Sequence, residues 1–150
     1  MEAKITTKPG FTVVGVKYFG QNKHNEIAQM WDTDGHRLED IPHRKSLTDY
    51  YGVCSNMDDQ GNFEYVAGIE VSEAGSLPEG MVRWDVPEQT YVVVPCTIPT
   101  IGKAYEFIHD TWLPQSEYKR ADSPDFELYD ETFKSDDPDS ILYIYVQIGK

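Results

Sequence analysis

The sequence is short of bases, cysteines and long apolar runs. Across 150 residues there are 13 Lys and Arg against 26 Asp and Glu, for a formal net charge of −13. That balance argues against nucleic-acid binding, which needs Lys and Arg at phosphates. It argues equally against adhesion to anionic membranes. No stretch approaches the roughly 18 apolar residues of a membrane-spanning helix, and residues 1–10 lack the apolar core of a secretory signal. The only cysteines, Cys54 and Cys96, lie in apolar strand-like runs. Two buried reduced thiols in a cytoplasmic protein is the direct reading, although spacing alone leaves a disulfide open. There is no Cys-x-x-Cys, no helical pair among His24, His36, His43 and His109, and no calcium-loop spacing, so neither metal nor cofactor is expected. Nucleophile elbows, phosphate loops and dinucleotide fingerprints are also missing.

Rings, by contrast, are abundant: 3 Trp, 10 Tyr and 6 Phe. Disordered acidic chains are poor in aromatics, so this chain folds, and its length suits one domain with a real core.

Residues 11–18 (FTVVGVKY) read as a buried strand, and Ile27, Met30, Trp31 and Leu38 then fall at helical spacing until Gly35 breaks the run. Residues 50–55 and 63–71 read as two strands of a hairpin about the Asp58–Asn62 turn cluster. After a Gly- and Pro-containing connector, with residues 81–84 a candidate edge strand, the order starts again. Residues 90–98 form a strand whose Pro95 marks an edge or bulge. Thr100 is a candidate N-cap, and the following helix puts Ala104, Phe107, Ile108 and Trp112 on one side and stops by Leu113-Pro114. Residues 125–131 (DFELYDE) and 141–148 (ILYIYVQI) are the last two strands. The expected fold is α+β: two β-α-β-β units, about 11–72 and 90–148 joined by a connector at 73–89, forming an antiparallel sheet with two helices on one face. A single ferredoxin-like or Bet-v-like domain is the competing arrangement.

Strand parity gives a candidate site, because alternate side chains point to opposite faces. Glu127 and Tyr129 share one face of their strand, and Tyr143 and Tyr145 share one face of the last. Pairing of the two strands can set Glu127 among phenol rings, the makeup of a site for a flat organic cation. The alternative is a solvated sheet face bearing an ordinary carboxylate. Trp31 and Trp112 occupy similar places in the two repeats, as core anchors or as cleft walls. Gly52 and Gly68 interrupt strands, marking close approach of a ligand or backbone, or a bulge. The acidic run at 122–139 reads as a solvated face.

The duplication, the DFELYDE strand and the closing ILYIYVQI strand resemble the GyrI-like effector-binding domains, the bacterial transcription-activator effector-binding family. These are sensor halves of multidrug-responsive AraC- and MerR-type regulators and also stand-alone proteins. Ile27-Ala28-Gln29-Met30-Trp31, Tyr51-Gly52-Val53, residues 65–71 (YVAGIEV), residues 78–81 (PEGM) and residues 125–130 (DFELYD) resemble the integron-associated subgroup. The resemblance spans about residues 11–148. It implies a pocket between the repeats for a small-molecule ligand, a lipophilic cation. The central acid matches Glu127, and aromatic walls would come from Tyr51, Tyr65, Trp112, Tyr129, Tyr143 and Tyr145, with Gly68 beside them. No helix-turn-helix accompanies the domain, so direct DNA contact is not expected and regulation would need a protein partner. Some stand-alone members resemble hydrolases of cyclopropane-bearing alkylators that use a Glu and a Tyr, which would make Glu127 a base. Others resemble inhibitors of DNA gyrase.

Overall fold

The computed structural model describes residues 1–55, 57–122 and 124–150; Ser123, inside the acidic run, lies outside them. β1 (Lys4–Lys8) and β2 (Phe11–Gly20) precede α1 (Glu26–Asp34), which tightens into a 3₁₀ turn at Gly35–Asp40. The hairpin β3 (Tyr50–Cys54) and β4 (Phe63–Val71) follows, then β5 (Met81–Val86) and β6 (Gln89–Cys96). α2 (Ile101–Glu106) continues in wide π-type turns over Phe107–Trp112 and ends at Leu113–Gln115. A short β7 (Lys119–Arg120), β8 (Asp125–Tyr129) and β9 (Leu142–Gly149) complete the chain. Among the described residues these strands form one antiparallel sheet in the order β1-β6-β9-β8-β3-β4-β2-β5, with β7 on β9. Two β-α-β-β units are therefore present, and they meet where β3 pairs β8.

Two strands were not visible in the sequence pattern. β1 is exposed over most of its length and carries no apolar alternation, so only its hydrogen bonds to β6 identify it. β7 has only two residues, too few for a pattern. The other strands fall within a residue or two of expectation. Pro95 is tolerated because β1 reaches only Val93, which leaves Pro95 with one neighbouring strand. Thr100 holds the N-cap position of α2, as expected, but its side chain makes no capping bond to that helix; its Oγ1 instead accepts from the Thr97 N–H at 2.9 Å, within the 3₁₀ turn at Ile98–Thr100 that precedes α2. Helical structure then runs past Leu113-Pro114, since Pro114 sits near a helix start, where its missing N–H costs nothing.

The strand order has a geometric consequence. β1 and β2 are six places apart in the sheet yet joined by two residues, Pro9-Gly10, and β5 and β6 are likewise joined by Pro87-Glu88. Three Cα steps reach about 11 Å, whereas six strand spacings on a flat sheet span about 29 Å. The sheet must curl until its ends meet. The ring contacts agree: Phe11 on β2 and Phe126 on β8 lie three spacings apart along the sheet, yet their ring centroids are 5.3 Å apart. The inside of the curl is a cluster including Phe11, Tyr51, Tyr91 and Phe126. The helices cover the outside. Ala104 and Ile108 pack on Val94 and Ile144 of the second unit, while Leu38 and Trp31 pack on Val14 and Ile69 of the first. No helix among the described residues is long and apolar enough to cross a membrane.

β2 and β4 approach closely where Gly15 faces Gly68. A Cβ on Gly68 would collide with the carbonyl of Val14 and come within 2.8 Å of Val13 Cγ1. Backbone cannot yield as a side chain can. Gly68→Ala is therefore expected to lower stability by about 1–3 kcal/mol, measured by urea unfolding. An unchanged midpoint would show that the two strands separate freely.

Candidate functional site

On the helix-covered face, β8 presents Asp125, Glu127 and Tyr129, because side chains alternate along a strand. Directly opposite across the seam, β3 presents Cys54, Gly52 and Tyr50. β4 adds Tyr65, two strands from β8. The phenols of Tyr65 and Tyr129 each donate to the same oxygen, Glu127 Oε1, both at 2.9 Å. The indole Nε1–H of Trp31, on α1, donates to the Tyr65 hydroxyl at 3.0 Å. An indole N–H can only donate, so the Tyr65 hydroxyl must accept from it and spend its own proton on Glu127. The polarity of the chain Trp31→Tyr65→Glu127 is thus fixed, and it suits an ionised carboxylate.

Rings surround this network. Trp31 meets Tyr129 edge to face at 5.7 Å and Tyr50 at 6.4 Å, and Phe133 closes on Tyr129 at 4.8 Å. From the other helix, Tyr105 reaches the Cys54 thiol at 4.0 Å and stacks on His109. Among the described residues, no Lys, Arg or His pairs with Glu127. Among the described residues, its second oxygen, Oε2, accepts no hydrogen bond. Burial raises the Glu127 carboxyl above the ordinary carboxylate range, and the two phenol donors only partly offset that. The same burial, with the Glu127 charge, raises the phenols of Tyr65 and Tyr129, so both remain protonated donors. Cys96 is pushed up to about 12 and Cys54 well above the usual thiol range, which leaves both thiols unreactive. No group of three His, Cys, Asp or Glu among the described residues is placed to hold a metal.

The structure brings Glu127, Tyr129 and Tyr65 together. It places the other predicted residues elsewhere. Tyr143 and Tyr145 are on the opposite face: Glu127 pairs with Ile144, while Leu128 pairs with Tyr143 and Phe126 with Tyr145. Residues directly opposite in a sheet share a face, and parity within one strand does not give the register between two. Tyr145 instead stacks on Phe126 at 4.4 Å inside the curl. Tyr51 lies on that inner face too, with its hydroxyl on Glu70 at 3.3 Å. Gly68 pairs with Tyr51 and serves the backbone contact with β2. Trp112 stacks on Tyr118 at 5.9 Å and takes no part in the Glu127 network. Trp31 and Gly52 belong to the site. Helical spacing located Trp31 but could not say what its N–H meets; Gly52 was visible as a strand-breaking glycine.

These features accompany a known fold. The chain matches the integron-associated effector binding protein family (Cass2) over residues 4–148 and belongs to it. The transcriptional regulator BrlR of Pseudomonas aeruginosa is 36% identical over 151 residues, covering 99% of this chain and 56% of BrlR, so the chain spans about half the length of that relative. Among solved structures, SAV2435 bound to tetraphenylphosphonium superposes with a TM-score of 0.78 at 18% identity, covering 99% of this chain and 94% of that one. The integron cassette protein VCH_CASS2 from the mobile metagenome of Vibrio cholerae superposes with a TM-score of 0.65 at 21% identity, covering 98% and 95%. At such identities the structural likenesses establish the fold.

A carboxyl raised by burial carries a stability signature. Ionised Glu127 is less at ease folded than unfolded, so its charge lowers stability at neutral pH. The loss is relieved as pH falls through its raised value toward the ordinary range. Glu127→Gln should therefore raise Tm at pH 7, and the advantage should shrink on acidification. A variant that melts lower than wild type at pH 7 would contradict this.

Proposed function

We propose that the chain binds amphipathic organic cations of aromatic character on the helix-covered face, with Glu127 as counter-charge. The observation that carries this reading is a carboxylate enclosed by rings, held by two phenols and paired with no cationic side chain among the described residues. An organic cation supplies what that arrangement lacks. Its charge offsets the cost of burying Glu127, and its flat groups find the faces of Trp31, Tyr129 and Tyr65. In the free chain Trp31 and Tyr129 close edge to face, so the ligand enters by parting them. α1 is suited to such movement, because none of its residues is fully buried and Trp31 is its main anchor to the sheet. The tetraphenylphosphonium bound by SAV2435 is a ligand of this class, which supports the reading at the level of fold. The free thiols suit a cytoplasmic setting. The net charge of −13 opposes contact with DNA phosphates. A transcriptional output like that of BrlR would thus be carried by protein other than these 150 residues, whether on the same chain or a partner.

Titration with tetraphenylphosphonium and with a planar cationic dye, followed by calorimetry and fluorescence, tests the assignment. Glu127→Gln should weaken both by about tenfold or more, the scale for losing a desolvated charge partner. Equal affinities in the two proteins would remove Glu127 as counter-charge. Wild-type affinity for these permanent cations should also fall as pH drops through the raised Glu127 value, since protonation discharges the site. The glutamine variant should show a flat profile over the same range.

A further inference from the structure

We propose that Gly52 is a positioning residue of this site: its missing side chain is the opening through which the Tyr65 hydroxyl reaches Glu127. Gly52 faces Glu127 directly across the β3–β8 seam and Ala67 across β3–β4. A Cβ built there would overlap the Tyr65 hydroxyl. It would also lie 2.6 Å from Tyr65 Cζ and 2.7 Å from Glu127 Oε1, closer than real Cβ contacts come. The backbone of Gly52 does not need glycine, as it is not among the residues of positive φ. Only space is required. The contrast with Gly68 is direct. There the obstructing atoms include the Val14 backbone, whereas at Gly52 all three are side-chain ends of the site itself. Alanine at position 52 is thus compatible with the strand and incompatible with the hydrogen bond.

The two halves contribute unlike things to their seam, one a carboxylate and the other a hole. Tyr65 fills the hole with its hydroxyl, fixed in polarity by the Trp31 N–H. With the hole closed, Tyr65 turns away, Glu127 keeps Tyr129 as its one donor, and Trp31 loses its acceptor. The uncharged titratable groups around Glu127 are Tyr65 on β4, Tyr129 on β8, Cys54 on β3, Cys96 on β6 and Tyr105 on α2. Asp125, two residues along β8 on the same face, is paired with Arg120 and accepts the Gln147 backbone N–H. That pair is present in every variant compared, so removing one donor should read on the Glu127 carboxylate.

The experiment is an NMR titration of the ¹³C-labelled Glu127 carboxyl in the ligand-free protein. Wild type, Gly52→Ala, Tyr65→Phe, Tyr65→Leu and the Gly52→Ala/Tyr65→Leu double variant are compared, and each is also titrated with tetraphenylphosphonium. Gly52→Ala and Tyr65→Phe should both move the midpoint upward, by similar amounts, and weaken tetraphenylphosphonium binding by roughly tenfold, the scale of one charge-assisted hydrogen bond. In the Tyr65→Leu background, Gly52→Ala should add little. If Gly52→Ala alone does not fold but the double variant does, the obstruction runs through Tyr65 and the proposal stands. An unmoved midpoint in Gly52→Ala, an undiminished further shift in the double variant, or a double variant that also fails to fold overturns it. The inference extends the proposed function but is separable from it. Titrations that behave as expected in a protein that does not bind tetraphenylphosphonium would sink the cation reading and leave the role of Gly52 intact.

Discussion

Five residue pairs, from Tyr50↔Tyr129 to Cys54↔Asp125, join the two β-α-β-β halves along β3 and β8. Nearly everything about the site follows from the register of that seam. It sets Glu127 opposite Gly52 rather than opposite a bulky neighbour, and it turns Tyr50, Gly52 and Cys54 toward the helices together with Asp125, Glu127 and Tyr129. A slip of one residue would send Glu127 to the inner face, against Phe11 and Tyr91, where an unpaired charge has no donors. The register is held from both sides. On the inner face Tyr51 and Phe126 touch at 5.6 Å, and on the outer face the phenols converge on one carboxylate oxygen.

The Glu127 cluster carries a cost in stability. Burying a carboxylate away from any cationic side chain is costly, and two phenols recover only part of that cost. Under the proposed cation-binding role, neutral donors are the ones that fit. A lysine or arginine beside Glu127 would stabilise the free protein and then compete with an incoming cation. Phenols solvate the charge without cancelling it, and their rings remain available for stacking.

Much of this was legible in the sequence, and the failures are instructive. The alternation of β8 named Glu127 and Tyr129, and the runs of β-branched and aromatic residues located the strands of both units. Tyr143 and Tyr145 do not share the face of Glu127, because parity operates within a strand, whereas the face shared by two strands depends on register, which the pairing of Glu127 with Ile144 reveals. Those tyrosines fill the inside of a curled sheet, and the curl comes from two-residue connectors between distant strands, a long-range constraint with no local pattern. β1 escaped notice for a related reason. Its five residues are almost wholly exposed, so hydrogen bonding to β6, not burial, makes it a strand.

The crossing of β1 and β5 bears on how such a molecule comes to be folded at all. β1 leads into the first unit but hydrogen-bonds to the second, while β5 leads into the second and hydrogen-bonds to the first. Each half thus lends the other its border strand, and neither has a finished edge until both exist. Pairs such as Lys4↔Val93 close loops of most of the chain, so the loop-closure entropy is incurred before those contacts can reward it. On the ribosome, β1 is made well before its partner β6, and β2 can pair β4 before β5 arrives to cover its other edge. The two units are thereby clasped, each completing the sheet border of the other.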